Sequence, residues 1–175
     1  MSFESLGGES VYEGKIVDVR VERFRHADGE EVTREVVRHQ GAVAVLAYDE
    51  TRVWLVRQPR EAVNEPALLE IPAGRLDVPG EAPLAAAQRE LAEEIGKGAE
   101  RWRAIVTYYT GAGFTDERVH LFEATGLYEA RAESEENERI ELVPWPLARL
   151  EDALAECRDA KALIGLCWLA RRLNA

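Results

Sequence analysis

Apolar and polar positions alternate with a period near two from Tyr12 to Arg25, with Ile16, Val19, Val21 and Phe24 as the apolar members, and Glu31 to His39 repeats the habit. Asp28-Gly29, a favoured turn pair, separates the two runs and predicts a β-hairpin. Gly41 to Tyr48 and Val53 to Gln58 are more continuously apolar, as central strands covered on both faces are, and should form the sheet core. Pro59, Pro66, Pro72, Pro79 and Pro83, with Gly74 and Gly80 among them, then predict a long loop between strand and helix. Loops of that length are usually functional.

From Pro83 the pattern turns helical. Leu84, Ala87, Leu91 and Ile95 recur at spacings of three and four, Pro83 suits an early helix position and Gly96 suits the C-terminal cap. Strands are expected over Arg103–Thr110, Arg118–Ala124 and, after an acidic run from Glu129 to Arg139, Ile140–Trp145. Leu147–Glu156 and Ala160–Leu173 read as closing helices. The order strands, helix, strands, helices implies mixed α/β (α+β) layers, a sheet with helices on its faces, and not a βαβ repeat. Trp54, Trp102, Trp145 and Trp168 sit in apolar patterns and read mainly as core, while His26, His39 and His120 read as ordinary strand positions.

At 175 residues the chain suits one globular domain, alone or with a short appendage. Its 22 Lys plus Arg against 33 Asp plus Glu give net −11, which leaves no general attraction to a phosphate backbone or an anionic membrane. Nucleic acid and membrane are therefore not expected as partners. The start MSFESLGGES lacks the basic region and apolar core of a signal peptide, and no stretch approaches a membrane span, so a cytoplasmic protein is expected. Cys157 and Cys167 lie in an apolar segment without metal-ligand spacing and read as buried thiols.

The chemistry concentrates between Gly74 and Gly96. On the expected helix Glu90 and Glu94 are i and i+4 and Glu93 is i+3 from Glu90, so three carboxylates crowd one side and repel one another. A hard divalent cation relieves that repulsion, since Mg²⁺ or Mn²⁺ takes oxygen ligands from carboxylates and substrate phosphates. A solvated acidic face is the ordinary reading of an isolated acidic segment. It has no need, however, of the Pro/Gly loop before the helix, of Glu81 eight residues ahead of Arg89, or of Arg89 at i+4 from Glu93, placed to orient those carboxylates.

This stretch resembles the Nudix box, G-x5-E-x7-R-E-U-x-E-E-x-G-U with U aliphatic, from Gly74 through Gly96. Two positions depart from it: six residues separate Gly74 from Glu81, and Lys97 stands at an aliphatic position. The insertion falls in the loop, where added length costs little, and leaves the helical register intact, so the metal site is expected to persist. Thr33-Arg34-Glu35-Val36-Val37, Gly41 to Val45, Arg57-Gln58-Pro59-Arg60, Glu70 to Gly74 and Gly113-Phe114-Thr115-Asp116-Glu117 extend the resemblance to the ADP-ribose pyrophosphatase branch over nearly the whole chain. Ala112 stands where that branch usually has proline, a departure that bears on substrate preference and not on pyrophosphate chemistry.

The resemblance implies a Nudix-like α/β/α sandwich with a mixed sheet over 41–175, preceded by an antiparallel β-hairpin subdomain over 1–40 that reaches across a homodimer. An isolated hairpin is marginal and needs something to pack on. The resemblance implies Mg²⁺, or Mn²⁺, held by Glu90 and Glu94 with Glu93 assisting and the Ala73 carbonyl as a further ligand; Arg89 belongs to the catalytic set, and Gly74, Glu81 and Gly96 are structural in the motif. The metal polarises phosphoryl oxygens and activates water, so that the P–O–P linkage is hydrolysed, giving AMP and ribose 5-phosphate from ADP-ribose. Similar enzymes draw a general base from an acidic loop, here Glu133 to Glu138, with Glu138 the first choice and Glu136 the second. The same run also reads as a soluble surface loop. Arg34 and Arg60 resemble the phosphate-gripping residues, and Gly113 and Phe114 the substrate-binding loop; each arginine equally suits a surface ion pair. Another nucleotide sugar, a dinucleotide or a nucleoside triphosphate are the alternative substrates. A non-catalytic nucleotide- or metal-binding regulatory module is the alternative of another class.

Overall fold

The structure, a computed structural model, describes residues 2–130 and 139–174, which fall into two compact units: residues up to Gly41 with Tyr108–Val119, and Ala42–Thr107 with the residues from His120 onward. In the first unit β1 (Phe3–Glu13), β2 (Val17–His26) and β3 (Glu31–His39) form an antiparallel sheet in that order. The β2–β3 hairpin turns at Asp28-Gly29, where the Gly29 N–H donates to the His26 carbonyl at 2.9 Å. Tyr12 to Arg25 is not one strand, because the chain reverses after Glu13 and the Gly14 N–H closes on the Val17 carbonyl. The hairpin is thus a three-stranded sheet. Its first strand escapes the periodicity because Glu4, Ser5, Gly7, Gly8, Glu9 and Ser10 interrupt the alternation and nearly all of β1 is exposed.

The second unit is built on a seven-stranded mixed sheet. β10 (Glu141–Pro146), β5 (Arg52–Arg60), β4 (Ala42–Tyr48), β9 (Arg118–Glu129) and β8 (Lys97–Tyr109) lie in that order, with β6 (Glu65–Glu70) on β5 and β7 (Ala73–Arg75) on β4. Ala42 through Ala47 are all buried, as the unbroken apolar run requires. Val43, Val45 and Ala47 pack with Ala86, Ala87, Leu91 and Ile95 of α1 (Pro83–Ile95). On the other face Gly165 of α3 (Ala160–Leu173) lies so near Leu46 and Ile71 that an added Cβ would stand 3.4 Å from the Ile71 Cδ1. The result is the expected α/β/α layering. Burying Leu91 completely contributes about 1.5–3 kcal/mol.

The expected long loop between Pro59 and Pro83 is interrupted by two short strands. It holds a 3-10 turn at Glu61–Val63, then β6 and β7, and residues 64, 71, 72 and 76–82 lie outside regular elements before the helix. Proline misleads here because β6 pairs only with β5, so the missing N–H of Pro66 forfeits no ladder bond, and Pro59 sits at a register shift between Gln58 and Arg60. Pro144 and Pro146 are accommodated alike in β10, at the end of the sheet path. Leu84 is exposed in the first helical turn; the buried stripe is Ala86, Ala87, Glu90, Leu91 and Ile95. The last segment divides into a 3-10 turn (Leu147–Arg149), α2 (Leu150–Glu156) and α3. Cys157 is buried as expected, whereas Cys167 is exposed because it falls on the outer side of α3, between buried Leu166 and half-buried Trp168. The four tryptophans are half-buried, and Trp54, Trp145 and Trp168 each carry a cation over the ring, the nearest being Lys97 at 4.4 Å from the Trp54 centroid. The histidines lie in strands β2, β3 and β9, as expected. No helix among the described residues is long and apolar enough to cross a membrane.

Candidate active site

Helix α1 starts with Pro83 at its first position and stops at Gly96, whose φ of 67° is left-handed and therefore suits glycine. Its N–H donates to the carbonyls of Ala92 and Leu91, and the chain enters β8 at the next residue. The last two turns of α1 carry Arg89, Glu90, Glu93 and Glu94. No basic residue occupies the last turn, so Glu93 and Glu94 stand at the negative end of the helix dipole.

Arg89 gathers the acids. Its Nε and Nη2 donate to the two carboxylate oxygens of Glu81 at 3.2 and 3.1 Å, and its Nη1 donates to Glu90 Oε1 at 2.7 Å and Glu93 Oε2 at 2.9 Å. The two-pronged contact explains the spacing of eight between Glu81 and Arg89: the loop acid folds back over the second turn of the helix. These hydrogen bonds, those to Glu81 foremost, and the charge of Glu90 hold the Arg89 guanidinium protonated well above the ordinary arginine range.

The other half of the site is β7, laid on β4 with Gly74 opposite Val43 and Ala73 opposite Ala44. The Ala73 N–H donates to Glu94 Oε2 at 3.1 Å. Glu90, 8% exposed, rests its carboxyl group on Gly74, where a Cβ would stand 1.9 Å from the carboxyl carbon. Only glycine admits that approach. Arg89, Glu81, Glu90, Glu93, Glu94, Ala73 and Gly74 are thereby brought together, in the arrangement the motif spacing anticipates.

This donor set, carboxylate and backbone oxygen without sulfur or imidazole, suits a hard divalent cation, and the cradle at Gly74 fixes one of its carboxylates against the strand. Among the described residues no three His, Cys, Asp or Glu side chains stand at ligating spacing, since Arg89 draws oxygens of Glu90 and Glu93 to itself and Ala73 draws one of Glu94. Glu136 and Glu138 lie outside the described residues.

Beside β7, at the end of β6, Glu70 has no exposed surface and accepts from Arg60 through both oxygens, Nε to Oε1 at 2.5 Å and Nη2 to Oε2 at 2.9 Å. Lys161 of α3 stands 3.4 Å from Glu70 Oε2 and 2.6 Å from Asp159 Oδ2. Burial pushes the Glu70 carboxyl up, but the Arg60 hydrogen bonds and the Lys161 charge outweigh it and hold the group below its ordinary value. Sequence reasoning assigned no role to Glu70 or Lys161. The signal was available, since each is a lone charge inside an apolar run, Ala67–Ala73 and Ala160–Ala170, where a buried charge requires a partner.

The remaining expected binding residues belong to the first unit. The loop after β8 returns to β3, with the Val37 N–H donating to the Phe114 carbonyl at 2.7 Å. Asp116 accepts from Arg38 Nη1 and from the His39 N–H, each at 2.9 Å, and Arg38 Nη2 reaches buried Glu22 at 2.7 Å. The Arg38 and His39 hydrogen bonds hold Asp116 below its ordinary range against the opposing effect of burial. Phe3, Phe24, Arg34, Arg38, Tyr109 and Phe114 line a hollow of about 440 Å³, with Ala112 and Gly113 on its wall. Arg34 is exposed and, among the described residues, donates to its neighbour's carbonyl, that of Thr33. Arg38, which the sequence reading passed over, ties the loop after β8 to β2 and β3.

A family model described as the NUDIX domain matches residues 38–163. An ADP-ribose pyrophosphatase of Bacillus subtilis (strain 168) is 38% identical, covering 95% of this chain and 91% of the relative. Another from Mycobacterium tuberculosis (strain ATCC 25618 / H37Rv) is 42% identical over 83% and 72% respectively. A methanol dehydrogenase activator of Bacillus methanolicus is 36% identical over 95% and 91%. A crystal structure of an ADP compounds hydrolase superposes with a TM-score of 0.86 over 99% of this chain and 95% of the other at 24% identity, a likeness of fold.

Proposed function

The chain belongs to the NUDIX domain family, and on that premise we propose that it hydrolyses the pyrophosphate bond of a nucleoside diphosphate derivative, ADP-ribose first, yielding AMP and ribose 5-phosphate. The observation that carries the reading is the Arg89 hub, which draws Glu81, Glu90 and Glu93 together while β7 receives Glu94 and Glu90. A structural helix has no use for acids massed at its negative end. Relatives named ADP-ribose pyrophosphatase, similar over most of the chain, support the substrate.

Glu90 and Glu94, with Glu93 and the Ala73 carbonyl, would hold Mg²⁺ or Mn²⁺, which offsets the negative charge of the diphosphate and makes phosphorus more electrophilic. Arg89 keeps the acids oriented and cannot itself lose a proton at working pH. Arg60 and Arg34 are the phosphate-gripping candidates, and Gly113 and Phe114 the loop that meets the rest of the substrate. Glu138, then Glu136, is the base that takes the proton of the attacking water. The exposed apolar side chains Phe3, Val11, Tyr12 and Ile16 support a homodimer through the N-terminal sheet. Light scattering coupled to size exclusion should give the dimer mass, and a species of about 20 kDa at micromolar concentration would exclude it. The cytoplasm is the expected compartment.

A phosphatase-coupled phosphate-release panel over ADP-ribose, nucleotide sugars, dinucleotides and triphosphates, each with Mg²⁺ and with Mn²⁺, tests the reading. ADP-ribose should lead and Glu94→Gln should abolish turnover. Full activity of Glu94→Gln would remove the site assignment, and a leading dinucleotide or nucleotide sugar would favour the second reading, which Ala112 in place of proline supports. The relative named as a methanol dehydrogenase activator raises a regulatory reading. Nucleotide binding without turnover on any member of the panel would establish it.

A further inference from the structure

Glu70 and Lys161 stand outside the box, and nothing in the hydrolysis reading assigns them a task. Leu69 and Ile71 flank Glu70, so a chain that only filled this place could use another aliphatic residue, and a buried carboxylate is costly unless paired. Here it meets two cations, Arg60 from β5 and Lys161 from α3. Lys161 is itself tied to Asp159, whose other oxygen caps α3 by accepting the Ala162 N–H at 2.9 Å. A continuous brace therefore runs from the start of α3 through Lys161 and Glu70 to the guanidinium of Arg60.

The brace ends beside the box. Glu70 is three residues before Ala73, whose N–H holds Glu94, and the charges of Glu94 and Asp159 both act on Arg60. Glu70 occupies Nε and Nη2 of Arg60, leaving Nη1 without a protein acceptor among the described residues on a side chain 41% exposed. Arg60 fills two of the carboxylate's acceptor positions and Lys161 adds an ion pair to Oε2 at 3.4 Å, which together constrain the carboxylate plane and with it the plane of the fork.

We propose that Lys161 is a positioning residue: through Glu70 it locks Arg60 so that the remaining Nη1 edge is held ready to receive a phosphate oxygen of the substrate. The kinetic part of this inference rests on the hydrolysis reading; the orientation of Arg60 does not.

The test compares wild type, Lys161→Met, Lys161→Arg, Arg60→Gln and the Arg60→Gln/Lys161→Met double variant, all as full chains with Mg²⁺. For ADP-ribose hydrolysis, Lys161→Met should raise KM about tenfold with kcat within about twofold, and Lys161→Arg should return most of the loss. In the Arg60→Gln background, Lys161→Met should add less than about twofold. Equilibrium binding of the non-hydrolysable α,β-methylene analogue of ADP-ribose should follow KM. The Arg60 Nε–H resonance, read without substrate, should be slow to exchange in wild type and Lys161→Arg and lost in Lys161→Met. An equal KM effect with and without Arg60 overturns the proposal, as does a lowered melting temperature with KM and the Arg60 signal unchanged. Wild type that neither binds the analogue nor turns over ADP-ribose would remove the hydrolysis reading instead. The exchange comparison would then decide the brace alone, loss of the signal upholding it and persistence overturning it.

Discussion

Replacing Gly74 by alanine puts a methyl group where the carboxyl of Glu90 lies. The new Cβ would be 1.9 Å from the carboxyl carbon and 2.0 and 2.3 Å from its oxygens, against an ordinary contact of 3.4 Å, so the group must retreat by about 1.5 Å. Glu90 is nearly buried and tethered to Arg89 at 2.7 Å, so the retreat also draws on the hub. Displacing a reacting or metal-holding group by about 1 Å can cost on the order of 100-fold in rate, which corresponds to about 2.7 kcal/mol. The fold should suffer less. Overpacking costs about 1–3 kcal/mol, and the atoms displaced are the end of a side chain, so the lower end applies. Gly74→Ala should therefore lose about 100-fold in kcat for ADP-ribose while its urea midpoint moves only slightly. Activity within about threefold of wild type, with unchanged circular dichroism, would show that the seat of Glu90 on β7 is irrelevant to the chemistry.

Arg89→Gln leaves Glu81, Glu90 and Glu93 without their shared cation; because the cluster is partly solvated the loss should be about 1–2 kcal/mol, seen as a thermal midpoint lower by about 2–8 °C. The Glu70 carboxyl is held below its ordinary range, so its ion pairs stabilise the fold above the unfolded carboxylate value and that contribution fades as pH falls through the lower folded value. Urea midpoints measured from pH 7 to pH 3 should show Glu70→Gln less stable at neutral pH, with the gap to wild type narrowing on acidification. Asp116→Ala strips Arg38 and the His39 N–H of an acceptor, and limited proteolysis should cut within 110–117 faster than in wild type. Chelation of divalent ions should abolish hydrolysis, and Mg²⁺ should restore it in wild type but not in Glu94→Gln.

Where local chemistry and tertiary context agree, the sequence is easily read. Helix α1 announces itself by Pro83, a three-to-four periodicity and Gly96, and the acids gathered by Arg89 from the helix sit in that same register. The β4 core strand is legible because covering both faces of a strand demands an unbroken apolar run. Strand β1 is not legible, since an exposed strand has no buried face to write a period into its residues. Strands β6 and β7 are hidden by prolines that harm only interior ladders. The Glu70–Arg60–Lys161 brace joins residues separated by up to 101 positions, 60 to 161, so local pattern could flag each buried charge but not pair it.

Two glutamates close α1 with no lysine or arginine to balance the carbonyl end of the helix. On the proposed metal site an added cation would offset that charge, and folding free energy and ion occupancy would become one equilibrium. An ion at 100 times its dissociation constant would raise stability by about 2.7 kcal/mol. Preparations stripped with EDTA should consequently melt earlier than replenished ones, even with no nucleotide in the buffer.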